Sequence, residues 1–247
     1  MKQLANAFNN MTERLGDYIR EVYSSKIKQN EAELNAIKSQ IRPHYLYNTL
    51  EVIRMNAILE DANSTQELIY SLSVQLKYLI GDTNDSVSMA TELDMIENYF
   101  KIIEVSFNHR ISMEIDVADH LRNYKIQKLI IEPIVENSVV HGLKLKEGKG
   151  KVKVSAEKVD GTLVIKVIDD GVGLSQERVQ HINDILKRSV ADDKDQYSQS
   201  IGIKNVHDRI QLAYGKQYGV KISSRLNMGT LVEITVPLEE DESLKKA

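Results

Sequence analysis

The segment from Leu34 to Leu59 contains the histidine best suited to accept a transferred group. Its apolar residues recur at helical spacing on two sides, and an Arg-Pro-His-Tyr-Leu-Tyr-Asn run is set into this pattern. An imidazole is a nucleophile that is abundant in its neutral form near pH 7, and Asn48 follows His44 by one helical turn. Pro43 lacks the N–H of a regular helix, so we expect a bend beside the histidine. The alternative is a histidine half-buried in a bundle with both ring nitrogens hydrogen-bonded.

A nucleophilic histidine requires a phosphoryl donor, and the second half of the chain has residues suited to bind one. Between residues 132 and 142, Glu136 and Asn137 are adjacent, and His141 lies one helical turn beyond Asn137. A hard divalent cation that is bound partly by phosphates takes one or two oxygen ligands from the protein. The carbonyl oxygen of Asn137 is a candidate for one of these ligands.

Three further stretches contribute an acidic residue and several glycines. Asp169 ends an apolar run before Gly171 and Gly173, so a carboxylate that can accept from an exocyclic amine precedes backbone that can approach a flat ligand closely. Gly202 stands at the start of a helix whose free N–H groups favour phosphate, and Thr230 follows a glycine at the turn into the last strand. Each pattern alone is common in ordinary turns, but their order along one chain favours nucleotide binding.

Composition narrows the possible functions. The chain has 247 residues, a net charge of −4 and no basic run with interleaved aromatic residues, which argues against nucleic-acid binding. The absence of cysteine excludes disulfides and thiolate metal sites. There is no signal peptide and no run of about 20 apolar residues, so we expect any membrane spans to lie outside this chain.

The first half of the sequence predicts only helices. Apolar residues from Leu4 to Val22 alternate in steps of four and three, which is the pattern of a coiled coil and indicates a parallel dimer. The alternative is an amphipathic helix that packs on its own domain. A polar cluster at residues 60–64 divides the following segment into a helical hairpin, and a third helix is predicted from Leu93 to Phe107, introduced by Thr91.

From Ile111 onward the apolar spacing changes from helical to alternating. We predict strands at residues 111–117, 151–156, 163–168, 221–226 and 231–236, and helices at about 126–142, 175–188 and 203–214. This order is typical of an α+β sandwich with one mixed sheet and helices on one face. The polar stretch from 189 to 200 has few groups to bury, and we expect it to be mobile.

The chain contains, in this order, the segments QIRPHYLYNTL, EPIVENSVVHG, IDDGVG, SIGIKNVHDRIQLAYG and GTLVEITVP. Together they resemble the sensor histidine kinases of the LytS/YesM type, and the resemblance covers about residues 34–237. The earlier segment LANAFNNMTERL is similar to the last helix of a HAMP signal-relay domain. The resemblance implies a multidomain chain with a coiled-coil helix at 1–25, an all-α dimerisation and histidine phosphotransfer domain at 26–110, and a catalytic ATP-binding domain of the Bergerat, or GHKL, fold at 111–247.

The resemblance also implies roles for individual residues. His44 matches the phosphoacceptor, and Asn48 and Glu51 are near enough along the helix to polarise its ring. Asn137 matches the asparagine that holds magnesium, and Asp169 matches the aspartate that reads the adenine amino group. The other residues that we expect near the nucleotide are Glu136, His141, Gly171, Gly173, Gly202, Asn205 and Thr230.

Three positions depart from the family pattern. Ser200 stands where a Gly-x-Gly motif has its first glycine, and it restricts the backbone to fewer conformations. Val140 stands where many histidine kinases carry a lysine toward the phosphates, which leaves His141, Lys144 or Lys146 as substitutes. Tyr45 stands where many other kinase families place an acidic residue after the histidine. We therefore expect weak ATP binding.

The function implied by the resemblance is transfer of the γ-phosphoryl group of Mg²⁺-ATP to His44 and then to an aspartate of a response regulator. The chain would be a homodimer and the cytoplasmic portion of a membrane sensor. Two alternatives stay open: a signalling scaffold with a degenerate nucleotide site, suggested by Ser200 and Val140, and a GHKL ATPase that hydrolyses ATP with Glu132 or Glu136 as the base.

Overall fold

The computed structural model describes residues 43–80, 86–187 and 201–240. The predicted coiled coil at 1–25 and the polar stretch at 189–200 lie outside these residues, and the predicted bend at Pro43 lies at their edge. The contacts between residues divide the chain into two compact units, with the boundary between Val52 and Ile53. None of the described helices combines the length and apolar character that crossing a membrane requires.

Two helices occupy the described part of the amino-terminal region. Helix α1 spans Pro43–Leu59 and helix α2 spans Asn63–Ile80, which matches the predicted break in the polar cluster. In the turn between them, the Ala62 N–H donates to the Ala57 carbonyl at 2.8 Å. Many large apolar side chains on the two helices are exposed. They are Tyr45, Leu46, Val52, Ile53, Met55, Ile58, Leu59, Tyr70, Leu72 and Leu79.

The remaining described elements form a two-layer α/β sandwich. They are β1 Ser86–Ser88, α3 Met89–Ser106, β2 Ile111–Asp116, β3 Tyr124–Gln127, α4 Glu132–Asn137, β4 Gly150–Val159, β5 Thr162–Asp169, α5 Gln176–Lys187, α6 Ile201–Tyr214, β6 Gly219–Arg225, β7 Gly229–Pro237 and β8 Glu239–Glu240. The main sheet has the strand order β2-β4-β5-β7-β6. Strands β2 and β4 are parallel and the other pairs are antiparallel, so the predicted mixed sheet is confirmed.

The two faces of the main sheet have different chemistry. On the inner face, Leu163, Ile165 and Val167 of β5 are buried in the same core as the apolar side of α3. On the outer face, Lys153 pairs with Glu114 at 3.1 Å and with Asp116 at 2.7 Å. Alternation of apolar and charged residues along each strand therefore places one face against the helices and the other in water.

Three sequence predictions about these elements are wrong. Ser88, not Thr91, caps α3, because its hydroxyl accepts from the Thr91 N–H at 3.2 Å. The helix predicted over 126–142 begins only at Glu132, since residues 124–127 are strand β3. The main sheet is not the single sheet, because β1, β3 and β8 form a second one. Its strands have three, four and two residues, which is too short to show alternation.

A π-helical turn follows α4 directly and extends from Ser138 to Leu143. The N–H of Lys144 donates to the carbonyl of Val139, five residues earlier, at 2.8 Å. A π turn adds a residue to the helical repeat and changes which side chains face the same way, and such turns are frequent at functional sites. The turn lies in the EPIVENSVVHG segment that the sequence singles out.

Candidate functional site

His44 is an exposed side chain on α1. Nδ2 of Asn48 lies 3.2 Å from Nδ1 of His44, as the helical spacing predicts, and this hydrogen bond does not involve Nε2. The next residue, Tyr45, is also exposed. In this chain the imidazole therefore has one hydrogen bond that orients it and a surface that a second reactant can reach.

A cavity of about 260 Å³ opens between the inner face of the main sheet and helices α4, α5 and α6. Five residues predicted from the sequence line it: Asn137, His141, Asp169, Gly173 and Thr230. Much of the remaining lining is apolar, from Ile134, Leu174, Ile182, Ile203, Ile222 and Val232. Apolar walls with a few converging polar groups are typical of a site for a flat aromatic ring.

Asp169 is the buried acceptor of this cavity and is only 3% exposed. Its Oδ1 accepts from the N–H of Gly171 at 2.9 Å. The hydroxyl of Ser138 and the N–H of Thr230 also donate to the carboxylate. Burial raises the pKa of Asp169 above its ordinary value, and the three donors act in the opposite direction. A carboxylate held in this way can accept a further hydrogen bond from a ligand amine.

Asn137 ends α4 and lies against the start of α6. Its Nδ2 donates to the carbonyl of Pro133 at 2.7 Å, so the carbonyl oxygen Oδ1 lies outside this bond. A Cβ atom at Gly202 would lie 3.2 Å from the same nitrogen. The missing side chain at position 202 therefore lets the amino-terminal end of α6 approach Asn137, and such an end favours phosphate.

The two glycines of the IDDGVG segment, of which Gly173 lines the cavity, have no room for a side chain. A Cβ atom at Gly171 would lie 2.5 Å from the carbonyl carbon of Gly142. Gly173 has φ +63°, and a Cβ atom there would lie 2.0 Å from the carbonyl oxygen of Arg225. Adding a methyl group at either position therefore requires the backbone to move.

Some of the predicted residues lie away from the cavity lining. Glu136 and Asn205 are exposed, and neither is among the lining residues. Glu132 does not line the cavity either, and its carboxylate accepts from the amide of Gln75 on α2. Lys146, a suggested substitute for the phosphate-binding lysine, pairs with Asp170 at 2.9 Å. Ser200 lies outside the described residues.

Sequence reasoning missed Ser138 and Gly142, which both contact Asp169. A Cβ atom at Gly142 would lie 2.8 Å from Oδ1 of Asp169. Both residues stand in the EPIVENSVVHG segment, but the resemblance assigned a role to neither of them. Only the π turn and the position of β5 reveal that they face the same carboxylate.

A buried polar network links α2 to the segment that leads into α4. Glu92 accepts from the hydroxyl of Tyr78 and from the N–H of Leu129, the latter at 2.7 Å. Nζ of Lys128 lies 4.3 Å from the centre of the Tyr78 ring, and Arg209 of α6 donates to the Lys128 carbonyl at 2.8 Å. Burial raises the pKa of Glu92. No local sequence pattern predicts this network, because its members are far apart along the chain.

Known protein families match both the helical amino-terminal region and the carboxyl-terminal sandwich. The family described as "Histidine kinase" matches residues 32–111, and the family described as "Histidine kinase-, DNA gyrase B-, and HSP90-like ATPase" matches residues 125–240. The carboxyl-terminal sandwich is therefore of the GHKL ATPase type, preceded by a helical part. Both matched domains, in this order, are those that the resemblance of the sequence to sensor histidine kinases of the LytS/YesM type predicts.

Two curated relatives illustrate this similarity. Sensor histidine kinase YesM of Bacillus subtilis is 28% identical over 95% of this chain and 38% of the relative. Sensor protein kinase HptS of Staphylococcus aureus is 25% identical over 96% of this chain and 44% of the relative. The chain thus spans less than half the length of these relatives. Among solved structures, the catalytic domain of histidine kinase ThkA aligns with a TM-score of 0.46 and 13% identity, covering 62% of this chain and 95% of that one.

Proposed function

We propose that this chain is the kinase portion of a two-component sensor. It transfers the γ-phosphoryl group of ATP to His44 and then to an aspartate of a separate response regulator. The observation that carries the proposal is the cavity lined by Asp169 and Asn137, with Gly202 of α6 packed against Asn137, in the same chain as an exposed imidazole. The names of the relatives, which are sensor kinases, support it.

The lining of the cavity fits an adenine nucleotide. The Asp169 carboxylate accepts from the exocyclic amine, and the apolar walls contact the faces of the ring. The start of α6 at Gly202 provides N–H groups for the phosphates. His141, Gly171, Gly173 and Thr230 complete this proposed site. Glu136 and Asn205, which do not line the cavity, stay predictions from the sequence.

We place the magnesium ion of Mg²⁺-ATP at Asn137. The donation from Nδ2 to Pro133 leaves Oδ1 as an oxygen ligand of the kind that hard cations prefer. Among the described residues, no group of three or more histidine, aspartate or glutamate side chains is arranged to hold a metal ion. This fits a cation that takes most of its ligands from phosphates and water. When bound, Mg²⁺-ATP supplies a phosphoryl group whose charge is partly neutralised.

His44 provides the nucleophile. A ring nitrogen forms the new P–N bond, the bond from the γ-phosphorus to the ADP oxygen breaks, and the displaced ring proton passes to solvent. Asn48 orients the ring through its contact with Nδ1. Positioning and charge neutralisation are sufficient for this step, because phosphoryl transfer needs little covalent help from the protein.

We propose the domain division 1–25, 26–110 and 111–247, with the chain acting as a homodimer. The exposed apolar side chains of α1 and α2 support dimerisation, since a second copy of these helices would bury them. We also propose that the chain is the cytoplasmic portion of a membrane-anchored sensor, with its membrane spans in segments outside these residues. Light scattering of the purified chain tests the dimer.

The test of the kinase reaction uses the full chain with γ-³²P-labelled ATP and Mg²⁺. We expect an acid-labile, alkali-stable label, as phosphohistidine gives, that is lost in His44→Gln. His120→Gln replaces another exposed histidine and serves as the control that keeps the label. Label that persists in His44→Gln would contradict the proposal. Steady phosphate release without label would indicate an ATPase, and absence of Mg²⁺-dependent ATP binding would indicate a scaffold.

A further inference from the structure

Ser138 has a buried hydroxyl in the cavity that the proposed function does not use. It follows Asn137 directly, begins the π turn and is 5% exposed. Its hydroxyl donates to the carboxylate of Asp169. A buried carboxylate is costly unless donors satisfy it, so each of its partners affects both its charge and its orientation.

The three donors to Asp169 come from different parts of the fold. The N–H of Gly171 and the N–H of Thr230 belong to the main chain, in the loop after β5 and in the neighbouring strand β7. The hydroxyl of Ser138 comes from the helical wall of the cavity. The same π turn brings Gly142 against the carboxylate, where a Cβ atom would lie 2.8 Å from Oδ1. The helical wall therefore contacts the acceptor at two points, one by hydrogen bond and one by packing.

We propose that Ser138 is a positioning residue for base recognition. Its hydroxyl holds the Asp169 carboxylate in the orientation that accepts the exocyclic amine of adenine. The site thereby prefers ATP to purine nucleotides that have a carbonyl oxygen at the same ring position. This inference rests on the proposed function, because it takes the cavity to be the nucleotide site.

A carboxylate discriminates between these bases only while it is charged and correctly oriented. It then accepts a hydrogen bond from an amine and repels a carbonyl oxygen. Both carboxylate oxygens are acceptors, as is the carbonyl oxygen of inosine or guanine, so that pairing brings like partial charges together. Without the Ser138 hydroxyl, the two main-chain donors stay but the helical side of the carboxylate loses its partner. The loss therefore falls on nucleotides with an amine and spares those without one.

The experiment compares ATP with ITP, which has a carbonyl oxygen in place of the amine. Calorimetric titration with Mg²⁺ measures both affinities for the full chain and for Ser138→Ala. We expect ATP affinity to fall about tenfold and ITP affinity to change less than about twofold, since a hydrogen bond to a charged group is lost for one ligand only. Ser73→Ala is the matched control, because its hydroxyl bonds to the carbonyl of Ile69 in its own helix at 2.8 Å. Both affinities should stay unchanged there.

Equal weakening of ATP and ITP in Ser138→Ala would overturn the inference, because it would show a general structural role. Unchanged affinities for both nucleotides would also overturn it. If Ser138→Ala does not fold, Gly142→Ala tests the same contact, since its methyl group displaces Oδ1, and we expect the same selective loss. A parent chain that binds no ATP would overturn this inference and the proposed function together. Label outside His44 with intact discrimination would overturn only the proposed phosphoacceptor.

Discussion

Asp169 and His44, the two residues on which the proposed reaction depends, have opposite surroundings. Asp169 is buried and has three hydrogen-bond donors, one each from a strand, a loop and a helical turn. His44 is exposed on a single helix, where Asn48 contacts one ring nitrogen. Recognition of a base needs an acceptor fixed before the ligand arrives and shielded from water. A phosphoacceptor must meet first a nucleotide and then a regulator, so it cannot be enclosed.

The same contrast extends to the elements that carry these residues. Near Asp169, neither Gly142 nor Gly171 has space for a side chain, because a Cβ atom would meet the Asp169 carboxylate at the first and the Gly142 backbone at the second. On α1, Ala57 is the buried apolar residue within the described part, and the larger apolar residues are mostly exposed. The described residues that line the cavity all come from one chain, whereas we expect the surroundings of α1 to be completed by a second copy.

The largest effect expected from this contrast is at the buried acceptor. Asp169→Asn places an amide N–H among three donors and removes the charge that reads the amine, so we expect ATP affinity to fall roughly 100-fold. Asp170→Asn is the matched control, because Asp170 is exposed and pairs with Lys146. We expect it to change the affinity less than about threefold. Calorimetric titration with Mg²⁺ measures both, and similar losses would show that net charge, not burial, sets the affinity.

Close packing in the wall of the cavity gives the next effect. Gly171→Ala forces a methyl group onto the Gly142 backbone, and we expect it to lower the free energy of unfolding by about 3 kcal/mol. Gly161→Ala has open space around its Cβ but a φ of +78°, so we expect a cost of about 1 kcal/mol from backbone strain alone. Urea unfolding distinguishes the two. Equal costs would mean that the crowding near Asp169 has little energetic weight.

A further prediction concerns the carboxylate of Glu132 and the pH dependence of stability. Burial raises the pKa of Glu132 to about 7 from its ordinary value of 4.5. Between these values the folded chain keeps a proton that the unfolded chain releases, so stability falls as pH rises through this window. Glu132→Gln removes the group. The partial exposure of Glu132 reduces the expected size of the effect. As the pH rises from about 5 to about 8, we expect the free energy of unfolding of the variant to increase by about 1–2 kcal/mol relative to that of the parent.

Glu136→Gln is the control for this measurement, because Glu136 is exposed one turn further along the same helical segment. Urea unfolding at the two pH values should give parallel changes for Glu136→Gln and the parent. If the free energy of unfolding of Glu132→Gln also changes with pH in parallel with that of the parent, Glu132 is not protonated in the folded chain. Burial of Glu132 then has no effect on its charge.

The smallest effect is expected at the exposed helix. Asn48→Ala removes the hydrogen bond to Nδ1 of His44, and we expect the phosphorylation rate to fall about two- to fivefold, as for a solvent-exposed hydrogen bond. Asn56→Ala, an exposed asparagine on the same helix, should leave the rate unchanged. Rates of label incorporation measure both. A loss of more than about 100-fold in Asn48→Ala would mean that the amide participates in the chemistry and does not merely orient the ring.

Local features of this chain could be predicted from its sequence. The contact between His44 and Asn48 follows from a separation of four residues on a helix, and the strands of the main sheet follow from alternating apolar residues. The residues proposed for the nucleotide site were identified from the sequence because they stand in recognisable segments. Five of them line one cavity in the structure.

Only the tertiary structure decided which of these residues meet. Ser138, Asp169 and Thr230 come from a helical turn and two strands. No local sequence pattern predicts that Ser138 and Thr230 both donate to the Asp169 carboxylate. The same is true of Tyr78 with Glu92 and of the second sheet, whose short strands show no alternation. Periodicity reports which face of an element is apolar, because that depends on near neighbours along the chain. Partners across the core are chosen by packing and by the need to satisfy buried charge, and those depend on the whole fold.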